Sequence, residues 1–64
     1  MKIGKRILEL RKKQNITQEQ LAEKLDVTRQ TISNWELGET SPNSEQLIEL
    51  ADIFEVSVDE LLGH

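Results

Sequence analysis

The hydrophobic positions recur with a helical period along the whole chain, and no segment alternates with period two. Ile3, Ile7, Leu10 and Gln14 fall on one stripe of a first helix with Arg11 at its edge. Lys12 and Lys13 sit in its last turn, where cations suit the helix dipole. A second helix opens at Thr17, whose hydroxyl forms a capping box with Gln20, and ends at Leu25. Leu21, Ala22 and Leu25 are its apolar face. A third helix opens at Thr28, turns Thr28, Ile32 and Trp35 inward, and stops at Gly38. After the loop 39–43, a fourth helix starts around Ser44 and buries Leu47, Leu50, Ala51 and Phe54. Ser57 and Glu60 form a further capping box, opening a short fifth helix with Leu61 and Leu62, ended by Gly63. One proline and three glycines are the only strong breakers, and no repeat, low-complexity segment or internal linker is evident. The pattern predicts one all-α domain of five helices over residues 1–64.

Composition narrows the function classes. A 64-residue domain buries only about 60% of its unfolded surface, so its stability margin is thin. Without cysteine, no disulfide or thiolate zinc site can staple it. It must rely on close helix packing or on a second copy. One histidine, the terminal His64, and no tyrosine leave little for nucleophilic or metal chemistry; the acids alternate with apolar residues as a helix surface does. No enzymatic role, cofactor or metal is expected. No apolar run approaches the ~20 residues of a membrane span, and Met1-Lys2-Ile3-Gly4 does not open a signal peptide, so a cytoplasmic chain without membrane contact is expected.

The net charge of −4 at first argues against nucleic acid, but the distribution is polarised. Residues 1–34 hold all eight Lys and Arg against four acids; residues 35–64 hold eight acids and no cation. Such a chain can turn a basic face to a polyanion while its acidic half looks away, although a charge run can equally be a solvated face.

Gln18 to Leu37 is the informative stretch. Two helices are joined with only Asp26 and Val27 near the turn, Ala22 is small where they cross, and Val27 plugs the turn. This is the layout of a helix-turn-helix, or of any tight αα-hairpin. On the wheel of helix 28–37, Gln30 and Asn34 point outward, flanked by Arg29 and Ser33. Gln and Asn can pair bidentately with adenine, and Arg with guanine. The bland alternative is an ordinary polar surface, though the Glu and Lys that usually fill one are missing from these positions.

The chain resembles the XRE family, the phage repressor and Cro-type helix-turn-helix domains. The resemblance rests on Ile3-Gly4, Arg6-Ile7, Leu10-Arg11, Thr17-Gln18, Leu21-Ala22, and the run Val27 to Glu36. It continues through Gly38, Pro42, Leu47, Leu50-Ala51, Val56-Ser57 and Leu61-Leu62. It implies a lambda-repressor-like fold and a sequence-specific transcription regulator, expected to be a repressor, whose third helix reads the major groove of double-stranded DNA. Arg29, Gln30, Ser33 and Asn34 would read bases; Gln18, Thr28, Thr31, Thr40 and Ser41 would touch phosphates. Lys5, Arg6, Lys12 and Lys13 would supply the positive field. Arg11 and Glu36 border the apolar stripes of their helices, and the matching family positions form an ion pair. Two departures stand out: Asp26 replaces the usual turn glycine, and Glu39 replaces a frequent lysine. A palindromic operator bound by a weak homodimer is expected, with Leu37, Ile48, Ile53 and Leu62 as apolar candidates for the seam. The competing reading is an antitoxin or a helical protein-binding module of the same fold.

Overall fold

The computed structural model describes residues 3–63; the readings of the Met1-Lys2 start and of His64 fall outside them. Among these residues the chain forms five helices and no strand: α1 Ile3–Lys13, α2 Gln18–Leu25, α3 Arg29–Leu37, α4 Ser44–Phe54 and α5 Val58–Leu61. The expected number, order and boundaries of the helices therefore hold to within a residue or two.

Three of the four junctions share one construction. A residue in the left-handed region ends the helix, an apolar residue follows, and a hydroxyl residue caps the next helix: Asn15-Ile16-Thr17, Asp26-Val27-Thr28 and Glu55-Val56-Ser57. In each, the apolar residue donates its N–H to a carbonyl five positions back, at 3.0–3.2 Å, closing a Schellman-type end. Its side chain packs against the core. The construction needs only three residues because one satisfies the old helix, one anchors the turn and one caps the new helix; the α1–α2 junction adds Gln14 before it. Asp26 takes φ 59°, ψ 44°, so the aspartate that replaces the family's turn glycine carries the left-handed cost itself. The fourth junction ends α3 at Gly38 (φ 81°) and runs through buried Pro42 to Asn43, which forms a capping box with Gln46 that the sequence reading missed.

The core gathers Ile7 and Leu10 of α1, Leu21, Ala22 and Leu25 of α2, Ile32 and Trp35 of α3, Leu50, Ala51 and Phe54 of α4, and Leu61 of α5. Several placements differ from expectation. Leu47, Ile53 and Leu62 are half-buried, so Ile53 is a flank of the core and not a free apolar position. Gln14 lies past the end of α1 and is exposed, its amide Nε2 donating to the Ile53 carbonyl at 3.1 Å. Thr28 is exposed because a capping residue sits outside the helical wheel.

The crossing of α1 and α3 fixes the site. A side-chain carbon on Gly4 would overlap the Trp35 backbone carbonyl and press on that of Glu36, so only glycine allows this approach. Two turns further along α1, Arg11 meets Glu36: Nε donates to Oε2 at 2.7 Å and Nη2 to Oε1 at 3.3 Å. With side chains only 12% and 6% exposed, the pair is sheltered, and Arg11 Nη1 also donates to the Ile16 carbonyl at 2.9 Å. The resulting α1–α3 clamp holds the last turn of α3 at both its backbone and its side chains.

Candidate nucleic-acid interface

Helix α3 is anchored from below by Ile32 and Trp35, which are buried; this dictates what its other face presents. Arg29 and Gln30 are exposed, and Ser33, Asn34 and Thr31 are half-buried. The structure thus brings Arg29, Gln30, Ser33 and Asn34 together on one side of one helix. Two of them are joined: Gln30 Nε2 donates to Asn34 Oδ1 at 2.9 Å, one turn apart. At the start of the helix the Thr28 hydroxyl accepts from the Thr31 amide at 3.2 Å and shares a hydrogen bond with the Thr31 hydroxyl at 3.0 Å.

An open groove lies at each end of α3. One is lined by Arg29 with Lys12, Asn15, Thr17 and Gln18. The other is lined by Leu37 and Gly38 with Lys5, Thr40 and Ser41. Arg29 and Leu37 lie eight residues apart on the helix, so about 12 Å of axial rise separates the two ends. Each groove combines a lysine with hydroxyl or amide groups that can hold a phosphate oxygen, with Glu19 also lining the first and Glu36, itself bonded to Arg11 and Gln18, the second. Thr28 and Thr31 stand at the same end of α3 as the first groove but are not among its lining residues.

Gln18 is committed more than its position suggested. As the first residue of α2 it faces the first groove, but its Nε2 donates to Glu36 Oε1 at 2.8 Å. Glu36 therefore takes hydrogen bonds from both Arg11 and Gln18, linking α1, α2 and α3 at one carboxylate. The Arg11–Glu36 contact is the pair the family resemblance implied; the Gln18–Glu36 bond, between residues 18 positions apart, was not read from the sequence. Arg6 is also redirected: Nη2 donates to the Glu60 carbonyl at 3.1 Å and Nη1 reaches Glu9 at 3.4 Å. It ties α1 to the end of α5; of the α1 cations that line the two grooves, Arg11 is paired with Glu36, and Lys5 and Lys12 are the others. The same corner holds Glu60, whose carboxyl sits below its ordinary range, chiefly because it accepts the Ser57 backbone and side-chain hydrogen bonds, with Arg6 adding attraction. Among the described residues no cluster of acids, histidines or cysteines gathers as a metal site, and no helix is long and apolar enough to cross a membrane.

Two short helices joined through a three-residue left-handed turn, the second held by α1 and presenting a polar face, define a helix-turn-helix domain. The chain belongs to the XRE-type helix-turn-helix family, matching it over residues 7–61. It is 47% identical over 63 residues to the HTH-type transcriptional activator BcrR of Enterococcus faecalis, covering 98% of this chain and 31% of that protein. It is 40% identical over 63 residues to the CTXphi transcriptional repressor RstR of Vibrio cholerae, covering 98% and 56%. Among solved structures it superposes on the P22 c2 repressor in complex with a synthetic operator, with a TM-score of 0.88 and 41% identity, covering 95% of this chain and 92% of that one. A transcriptional regulator from Listeria innocua gives a TM-score of 0.91 at 37% identity, covering 97% and 58%. The chain spans about a third to a little over half the length of these curated relatives.

Proposed function

We propose that this domain binds double-stranded DNA in a sequence-dependent way and serves as the DNA-reading part of a transcription regulator. The observation that carries it is the face of α3: Arg29, Gln30, Ser33 and Asn34 exposed or half-exposed on one side, with a lysine-bearing groove at either end. The two ends of the helix are separated by about the 12 Å width of a major groove. The helix would lie in that groove, with Arg29 and Gln30 on base edges. Lys12, Thr17 and Gln18 would face one phosphate strand, and Lys5, Thr40 and Ser41 the other. Thr28 and Thr31 would add hydroxyl contacts where α3 enters. The P22 c2 repressor, crystallised with an operator, supports this reading over an antitoxin or protein-binding module.

The working unit in this proposal is two copies on a palindromic operator, in the cytoplasm where the DNA is. One helix touches a few base pairs, and half-sites one turn apart, about 34 Å, give the remaining affinity. Leu37 and Ile48, 69% and 57% exposed, are the apolar groups free for the seam. RstR is named a repressor and BcrR an activator, so the names of the relatives do not fix the sign of regulation. We favour repression by occlusion.

Selection of bound duplexes from a random pool, followed by fluorescence anisotropy against salt, tests the proposal. A defined palindrome should emerge, with affinity falling steeply as salt rises. Arg29→Ala and Gln30→Ala should each lower affinity by about 1–3 kcal/mol and relax base preference. Lys5→Ala and Lys12→Ala should weaken all sequences alike. A pool that yields no motif would refute it.

A further inference from the structure

The hydrogen bond between Gln30 and Asn34 divides the labour on the reading face. Both residues carry amides able to pair with adenine, yet the two side chains are not independent. Gln30 Nε2 donates to Asn34 Oδ1 at 2.9 Å on an exposed stretch of α3. A bidentate contact to adenine uses the carbonyl oxygen and only the amide hydrogen that lies beside it. The other hydrogen points back toward the residue's own helix. A partner one turn on can hold that second hydrogen without obstructing the pairing edge. The same bond takes one lone pair of Asn34 Oδ1 and holds the Asn34 amide toward Gln30, so that amide is not free to turn its own edge to an adenine. Asn34 is also the less mobile of the two: it is half-buried, and its backbone carbonyl accepts the Glu39 amide at 2.9 Å in the turn that ends α3.

We propose that Gln30 is the adenine reader of this helix and that Asn34 is its positioning residue, fixing which edge of the Gln30 amide faces the groove. The inference rests on the DNA-binding reading above and narrows its base chemistry. Without Asn34 the Gln30 amide is free to turn over, exchanging donor for acceptor, and its preference for adenine over other bases falls. A good bidentate contact gives discrimination of about 5- to 150-fold, and that ratio is what Asn34 protects.

The test is pool selection with the wild type, Gln30→Ala, Asn34→Ala, Asn34→Asp and the double alanine variant. Gln30→Ala and Asn34→Ala should flatten the same single position of the motif, an adenine in the wild type. The double variant should flatten it no further than Gln30→Ala alone. Asn34→Asp retains an acceptor for Gln30, so it should keep that adenine while its added charge weakens binding to every sequence alike. A merely structural role for Asn34 would not produce that split. In the free domain, one Gln30 side-chain amide hydrogen should exchange slowly by NMR, and Asn34→Ala should abolish that protection with little change in melting temperature. Loss of preference at a different position in Asn34→Ala, or loss of the adenine in Asn34→Asp, would overturn the assignment while leaving DNA binding intact. So would an unprotected Gln30 amide in the wild type. A wild-type pool without a motif would instead refute the DNA reading itself, and this assignment with it.

Discussion

Replacing Glu36 by alanine should come close to unfolding the domain, although Glu36 belongs to no reading surface. The carboxylate is 6% exposed and accepts from Arg11 Nε at 2.7 Å, Arg11 Nη2 at 3.3 Å and Gln18 Nε2 at 2.8 Å. Its removal strands the Arg11 guanidinium, 12% exposed, with the Ile16 carbonyl as its remaining recorded partner. Breaking a buried pair by removing one member costs about 3–5 kcal/mol. A 64-residue domain holds about 3–10 kcal/mol in all. At about 4–8 °C per kcal/mol for a domain of this size, the melting temperature should fall by roughly 12–40 °C. Urea unfolding followed by circular dichroism measures this directly. The loss should be nearly the same at about 0.1 and 1 M salt, because a sheltered pair is screened little. Arg11→Met combined with Glu36→Leu should recover much of the stability, since neither charge is then left without its partner. Gln18→Ala, which removes one of the three bonds and no charge, should cost about 1–3 kcal/mol. A Glu36→Ala loss under about 1 kcal/mol would place the pair in the class of exposed surface bridges and refute the reasoning.

Other outcomes are equally specific. Gly4→Ala should destabilise by about 1–3 kcal/mol, because the new methyl meets the backbone carbonyls of Trp35 and Glu36, which cannot rotate aside; a thermal melt and a crystal structure of the variant would show α1 lifted from α3. Asp26→Gly and Glu55→Gly should each stabilise by about 0.5–1 kcal/mol in urea titration, the left-handed strain relieved exceeding the added freedom of the unfolded chain. Glu60, lowered below its ordinary range mainly by the Ser57 hydrogen bonds, contributes stability that is present above the unfolded glutamate value and lost as pH falls through the folded one. Glu60→Gln keeps a capping acceptor but should flatten that acid part of the stability–pH profile, read by urea melts across the acid range.

Much of this protein was legible before any coordinates. The helix boundaries follow from capping chemistry: Thr17 with Gln20, Thr28, and Ser57 with Glu60 are local signals that need no tertiary context, and each caps in the structure as its spacing requires. The inward face of α3 follows from Ile32 and Trp35 at helical spacing, and fixing that face fixes the opposite one. Asp26 in the left-handed region is what the resemblance implies, since it stands where family members usually carry the turn glycine. What the wheel could not supply is distance across the fold. Gly4 is an unremarkable glycine until α3 lies against it. Arg6 is one more surface cation until α5 places the Glu60 carbonyl within its reach. Ile53 stands at an exposed position in a helix projection, but neighbouring elements cover half of it. Gln18 and Glu36 meet because α2 and α3 are bent back on each other. Local hydrogen bonding and hydrophobic period specify the helices; which side chains share a partner is decided only when the helices pack, because packing brings together groups that sequence separation keeps apart.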